Sequence, residues 1–129
     1  MSVSAWRIAG VASLLLLGAC AIRAAEPAAL DDAGLLAYAA RPWDKAQRMG
    51  TTMQLGRHHG VPVVAEFPCA DVCPRYTVRI IHYRLPPGTA CAEVGGVEQE
   101  LLVPVAITML AKTFCIPEPL MASGSYYAK

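Results

Sequence analysis

The first 25 residues constrain this chain most, because they predict the compartment in which the rest of it folds. Arg7 supplies a weakly positive start, residues 8–17 are almost entirely apolar, and the small residues Gly18 and Ala19 follow. This order of positive, apolar and small residues is typical of a helical secretory signal peptide. The apolar run is shorter than the roughly 20 residues that a membrane-spanning helix requires. We therefore expect a cleaved leader, with a short uncleaved anchor helix as the alternative.

The apolar segment ends in Leu17-Gly18-Ala19-Cys20. This tetrapeptide resembles the lipobox of bacterial lipoproteins, in which a signal peptidase cuts before the cysteine. The resemblance implies that residues 1–19 are removed and that Cys20 is lipidated on its sulfur and amino group with acyl chains such as palmitate. Since Ala21 is not the aspartate associated with inner-membrane retention, the resemblance also implies an outer-membrane lipoprotein facing the periplasm. Cleavage after Ala21 or Ala24 is the alternative, and it would give a free periplasmic or secreted protein.

The mature chain that begins at Cys20 is long enough for one small domain but not for two. The whole sequence contains 11 Lys and Arg and 10 Asp and Glu, and Arg7 is lost with the leader. The resulting charge balance argues against a nucleic-acid partner. We expect a flexible tether at residues 20–30, a single domain at residues 31–120 and a loose C-terminal tail at residues 121–129.

Four cysteines remain once Cys20 is assigned to the lipid anchor. They are Cys69, Cys73, Cys91 and Cys115. An even number of cysteines in an exported domain favours two disulfides, and the sequence alone allows three pairings. We favour Cys69–Cys73 together with Cys91–Cys115, the second of which would stabilise the fold by about 3 kcal/mol.

Short helices are predicted at the front of the domain. Asp31 and Asp32 precede the apolar residues 35–40, and acidic residues favour a helix start. Pro42 ends this helix and is itself suited to the first turn of a second one, which we expect to reach Met49. Residues 51–60 show no clear periodicity.

Alternating apolar and polar residues predict strands in the second half of the chain. In residues 75–84, the side chains of Arg75, Thr77 and Arg79 are expected on the solvent face. Residues 61–67 form a further candidate strand, residues 98–109 alternate as one strand, and residues 112–116 form a last short one. The sequence therefore predicts a small single α+β domain with an antiparallel sheet of three or four strands and two disulfides.

One motif suggests chemistry. The segment Cys69-Ala70-Asp71-Val72-Cys73-Pro74 resembles the Cys-x-x-x-Cys-Pro loop of Sco-type copper chaperones and thiol reductants. The resemblance implies a copper site made of two thiolates and a distant histidine, here Cys69, Cys73 and one of three histidines, with His82 preferred. In that family the motif enters a helix, whereas residues 75–81 alternate as a strand. A structural disulfide is the alternative interpretation of the two cysteines.

The pair His58-His59, followed by Gly60, is a second metal candidate. Neighbouring side chains in extended or turn segments usually point apart, so we expect a solvated loop. Two functional hypotheses remain. The preferred one is a lipid-anchored, non-enzymatic binding or structural module of the bacterial cell envelope, without a cofactor and with an envelope protein as its partner. The other is a periplasmic copper-binding or thiol-redox protein that uses Cys69 and Cys73.

Overall fold

A four-stranded antiparallel sheet and a separate β-hairpin form the domain in the computed structural model. The structure describes residues 28–44, 49–69, 77–105 and 107–129. The predicted signal peptide, the lipidation candidate Cys20 and the motif residue Cys73 lie outside these described residues. In the ranges that are described, no helix has the length and apolar character that a membrane crossing requires.

The elements follow one another along the chain in a simple order. They are α1 (Asp32–Ala39), β1 (Thr51–His58), β2 (Val61–Phe67), β3 (Arg79–Tyr83), the 3-10 helix η1 (Cys91–Val94), β4 (Gly96–Val105), β5 (Thr108–Pro117), the 3-10 helix η2 (Glu118–Leu120) and β6 (Tyr127–Ala128). The sheet has the order β1-β2-β3-β6, and β4 pairs only with β5. Every one of these strand pairs is antiparallel. The predicted α+β class with an antiparallel sheet of three or four strands is confirmed, whereas β4 and β5, which were expected in that sheet, pair separately.

Three local predictions differ from the structure. The described residues of the predicted second helix, 42–44 and 49, are not helical, so α1 is the one α-helix seen in the described chain. The segment 51–60 without periodicity contains β1, and the predicted strand 98–109 is divided by the turn between β4 and β5. The C-terminal residues expected to be loose include β6, which pairs with β3.

The inner strands β2 and β3 have buried side chains on both faces of the sheet, so the core lies on both sides of it. Alternate residues of a strand point to opposite faces. On one face, Phe67 contacts Trp43 with ring centroids 5.2 Å apart, and Arg79 reaches the end of α1. On the other face, the ring of His82 lies edge-on to Phe114 of β5 at 4.9 Å. The helix and the β4–β5 hairpin therefore cover opposite faces of the sheet.

Arg79 is the clearest departure from the sequence pattern. Its side chain, expected in solvent, is only 1% exposed. Nη2 donates to the carbonyl of Ala39 at 2.7 Å and Nη1 donates to that of Arg41 at 3.0 Å. These carbonyls lie at the C-terminal end of α1, where a helix leaves its last acceptors without internal partners. The guanidinium also lies 5.4 Å from the centre of the Tyr38 ring, and burial lowers its pKa.

A disulfide between Cys91 and Cys115 links η1 to β5 with a Cα–Cα distance of 5.6 Å. The predicted bridge between these two cysteines is confirmed. Only one of the three possible pairings of the four cysteines includes the Cys91–Cys115 bridge, and that pairing joins Cys69 to Cys73. The bridge from Cys69 to Cys73 stays a prediction, because Cys73 is not among the described residues. A Cβ on Gly96 would collide with both sulfur atoms of the observed disulfide, so a glycine is required there.

Candidate functional site

The turn between β1 and β2 brings two imidazoles together. His58 and Val61 form the last pair of the ladder, so His59 and Gly60 are the two residues of the connection. Their φ angles are +52° and +76°, the left-handed pair that a type I′ hairpin turn requires. In this conformation the rings of His58 and His59 stack, with centroids 4.0 Å apart. The expectation that neighbouring imidazoles point apart is therefore wrong for this pair.

His58 is the buried centre of a chain of hydrogen bonds. Its Nε2 lies 2.7 Å from Oδ1 of Asp32, and its Nδ1 lies 2.6 Å from the hydroxyl of Tyr83. An ionised carboxylate can only accept, so Nε2–H donates to Asp32, and in the neutral imidazole Nδ1 then accepts the proton of the Tyr83 hydroxyl. Both ring nitrogens of His58 therefore have hydrogen-bond partners, as a histidine that is only 3% exposed requires.

Backbone contacts place Asp32 over this imidazole. Residues 28–30 run beside the end of β1, where Leu30 N–H donates to the Arg57 carbonyl at 2.7 Å and Arg57 N–H donates to Ala28 at 2.9 Å. The segment can lie this close to β1 because residue 56 is a glycine. A Cβ there would come within 2.7 Å of the Ala28 carbonyl oxygen. Asp31 then caps α1 by accepting from Gly34 N–H at 2.8 Å. The first helical residue, Asp32, therefore lies at the tip of the hairpin.

Tyr83 forms the buried end of this chain of hydrogen bonds. Burial, and to a smaller extent the negative charge of Asp32, raises the pKa of Tyr83 to about 12. The residue is 3% exposed, so its hydroxyl is not presented to a substrate in solution. Its structural role is to hold the His58 ring in one orientation.

His59 is held by a different bond. Its Nδ1 lies 2.8 Å from the Val94 carbonyl, which can only accept, so Nδ1 is the protonated nitrogen. This leaves the Nε2 lone pair of His59 available for a ligand. Asp32, His58 and His59 each offer one ligand atom, and these atoms all lie within 4.8 Å of one another. His58 is buried, whereas Asp32 and His59 are exposed.

Removing the Tyr83 hydroxyl tests this network through the pH dependence of stability. The pKa of Tyr83 is raised from 10.0 in the unfolded chain to about 12, so its contribution is complete below pH 10 and is lost as pH rises toward 12. At neutral pH we expect Tyr83→Phe to lower the free energy of unfolding by about 1 kcal/mol. The difference from the native protein should narrow above pH 10 in urea titrations. A difference that stays constant up to pH 12 would contradict the assignment.

Cys69 and His82, the two described residues of the proposed copper site, are not brought together around one cavity. Cys69 is buried and borders an open cavity of about 360 Å³ whose lining includes Phe67 and Lys112 but not His82. His82 uses both of its nitrogens, with Nε2 at 3.1 Å from Glu66 Oε1 and Nδ1 at 3.1 Å from the Tyr83 carbonyl. The hydrogen bond from His82 lowers the pKa of Glu66. The copper hypothesis stays a prediction, because its ligand Cys73 lies outside the described residues.

A second surface feature is the solvent-exposed end of the β4–β5 hairpin. Four large apolar side chains there are between 41% and 74% exposed: Leu102, Val105, Ile107 and Leu110. Leu102 and Leu110 occupy neighbouring positions in the ladder, where each points to a different face. The hairpin end is therefore apolar on both of its faces.

The sequence identifies His58 and His59 as a metal candidate but does not indicate their partners. In the sequence, Asp32 indicates only a helix start and Tyr83 only a strand residue. They lie 26 and 25 positions from His58 in the sequence, and no local pattern encodes those contacts. The one local indication was Gly60 directly after the two histidines, since the second residue of a type I′ turn is often glycine. Comparison with known protein families, curated proteins and solved structures found no match.

Proposed function

We propose that this protein is a lipid-anchored, non-enzymatic binding or structural module of the bacterial cell envelope. In this account residues 1–19 are a lipoprotein signal peptide, and Cys20 is the acylated first residue of the mature chain. The domain is then held at the outer membrane, facing the periplasm, where it contacts another envelope component. No cofactor is needed for such a role.

The observation that supports an exported location is the Cys91–Cys115 disulfide. Both cysteines are buried in the domain core, so the bond is part of the folded interior. Cytosolic glutathione and thioredoxin keep thiols reduced, whereas exported proteins form and retain disulfides. A structural disulfide is therefore what a periplasmic domain of this small size would use for stability.

The leader and the tether support lipid anchoring. Each buried methylene of an acyl chain contributes about 0.8 kcal/mol, so one chain binds a membrane marginally and two or three bind it durably. Between Cys20 and the first described residue, Ala28, the chain is rich in alanine and contains Arg23 and Glu26. Such a segment would separate the folded domain from the bilayer surface.

The end of the β4–β5 hairpin supports the binding part of the proposal. Exposed apolar patches on soluble domains mark interaction surfaces more often than isolated apolar residues do. Ile107, at the turn, is the most exposed of the four apolar residues, at 74%. Thr108 and Lys112 are polar, exposed neighbours of this apolar surface.

Replacing the acylated sulfur tests the anchor. We expect Cys20→Ser to abolish fatty-acid labelling and to move the protein from the membrane fraction to the soluble fraction. The matched control is Ala24→Leu, which should change neither labelling nor location, because cleavage before Cys20 does not involve Ala24. Labelling that survives Cys20→Ser, or a native protein that is soluble and cleaved after Ala21 or Ala24, would contradict the proposal.

A further inference from the structure

We propose that Asp32, His58 and His59 form a binding site for one divalent transition-metal ion of the zinc class. The site is distinct from the cysteine motif and does not depend on the proposed envelope function. Two imidazoles and one carboxylate with no sulfur suit Zn²⁺, Ni²⁺ or Cu²⁺ and do not suit the soft ion Cu(I). Three protein ligands with a position open to solvent is also the arrangement of zinc sites that bind a further ligand.

The ligand atoms lie close enough together that small side-chain rotations would place them around such an ion. Zinc bonds to nitrogen and oxygen are about 2.0–2.2 Å long. In tetrahedral coordination, neighbouring ligand atoms are therefore about 3.3 Å apart. The contact of 2.7 Å between His58 Nε2 and Asp32 Oδ1 is shorter than this, and all three ligand atoms lie within 4.8 Å of one another. The Asp32 side chain is 66% exposed, so a small rotation opens this contact around the fixed His58.

The outer-shell hydrogen bond of His59 favours metal binding, and His58 has a partner that can form the same kind of bond. Histidines that bind metals almost always donate their other N–H to a carbonyl, carboxylate or similar acceptor, which fixes the tautomer and the ring orientation. His59 already does so through Nδ1 to the Val94 carbonyl, at 2.8 Å. His58 would do so through Nδ1 to the Tyr83 oxygen, at 2.6 Å, once the ion replaces the proton on Nε2. The Nε2 proton is released to solvent and Nδ1 takes one up from solvent, so His58 binds as the neutral Nδ1–H tautomer and the Tyr83 hydroxyl turns from donor to acceptor.

Metal binding would tie α1 to the β1–β2 turn. Asp32 belongs to the helix, whereas His58 and His59 belong to the hairpin. A ligand that binds only the folded state raises its stability according to its concentration relative to the dissociation constant. Zinc should therefore raise the thermal midpoint of the native protein in a concentration-dependent manner.

Calorimetric titration of the chelator-treated, oxidised lipoprotein with zinc chloride tests the proposal. The protein is purified in detergent without a polyhistidine tag, and we expect one ion per chain. His59→Asn removes the ligand atom, and asparagine tolerates the left-handed conformation of the turn. Asp32→Asn removes the carboxylate charge at an exposed position. Each variant should weaken zinc binding by about 100-fold or more, which is at or beyond the upper end of the effect of losing an outer-shell partner, and should abolish the thermal shift.

Two matched controls accompany these variants. Asp31→Asn removes the same charge one residue earlier and keeps a helix cap, since asparagine caps as well as aspartate does. His82→Asn removes an imidazole from the opposite face of the sheet. Both controls should bind zinc as the native protein does. In addition, cobalt bound at the site should give absorption bands without the charge-transfer band of a thiolate ligand.

Three outcomes would overturn the proposal. The first is a native protein that takes up no zinc. The second is zinc binding that His59→Asn or Asp32→Asn leaves within about twofold of the native affinity, which is a negligible free-energy change. The third is a cobalt spectrum with a thiolate band that Cys69→Ser removes, which would assign the ion to the cysteine motif.

Discussion

Arg79→Ala should lower the free energy of unfolding by about 3 kcal/mol or more. The guanidinium makes two hydrogen bonds to carbonyls at the end of α1, and hydrogen bonds to a charged group contribute about 1.5–3 kcal/mol each. The substitution also leaves the Ala39 and Arg41 carbonyls without these donors and opens space against Tyr38. Urea unfolding followed by circular dichroism measures the change.

Arg84→Ala is the matched control for this prediction. Arg84 follows directly after β3, and its side chain is exposed. Exposed substitutions of this kind change stability by no more than about 0.5 kcal/mol. If Arg79→Ala and Arg84→Ala were equally mild, the role of Arg79 in fixing the helix to the sheet would be wrong.

The second large effect is expected from the observed disulfide. Replacing Cys91 and Cys115 together by serine should lower the free energy of unfolding by about 3 kcal/mol, because the bridge spans 24 residues and restricts the unfolded chain. The double substitution avoids a lone reactive thiol. Urea unfolding at neutral pH measures the change.

Reduction of the native protein provides the comparison. A reductant should lower the unfolding midpoint of the native protein at least as far as the double serine substitution does, since it opens this bridge and the predicted Cys69–Cys73 bridge. A double variant whose free energy of unfolding falls by less than about 1 kcal/mol would contradict the prediction. It would indicate that the loop between the two cysteines is ordered in the unfolded chain even without the bond.

The sequence patterns predicted the architecture because two of its determinants are local. Asp31 and Asp32 mark the start of α1, and alternation marks the strands of the second half. Strand β1 was missed because a bulge between Gln54 and Gly56 interrupts its alternation. The β4–β5 turn was missed because Ile107, an exposed apolar residue, continues the pattern through the turn.

Other features could not be predicted because they depend on contacts between distant segments. Arg79 has the strand position of a solvated residue, and only the position of α1 over the sheet provides it with buried acceptors. The candidate site likewise depends on contacts between distant segments. His58 and His59 are visible in the sequence, but Asp32 and Tyr83 reach them only through the packing of α1 and β3.

Mass spectrometry of the intact protein extracted from membranes shows whether the chain is lipid-anchored through Cys20. We predict a mature chain that begins at Cys20, bears the mass of the attached diacylglycerol and acyl chain, and contains no free thiols. An unacylated chain that begins after Ala21 or Ala24, or a full-length chain that retains residues 1–19, would contradict the account of a lipid-anchored envelope module.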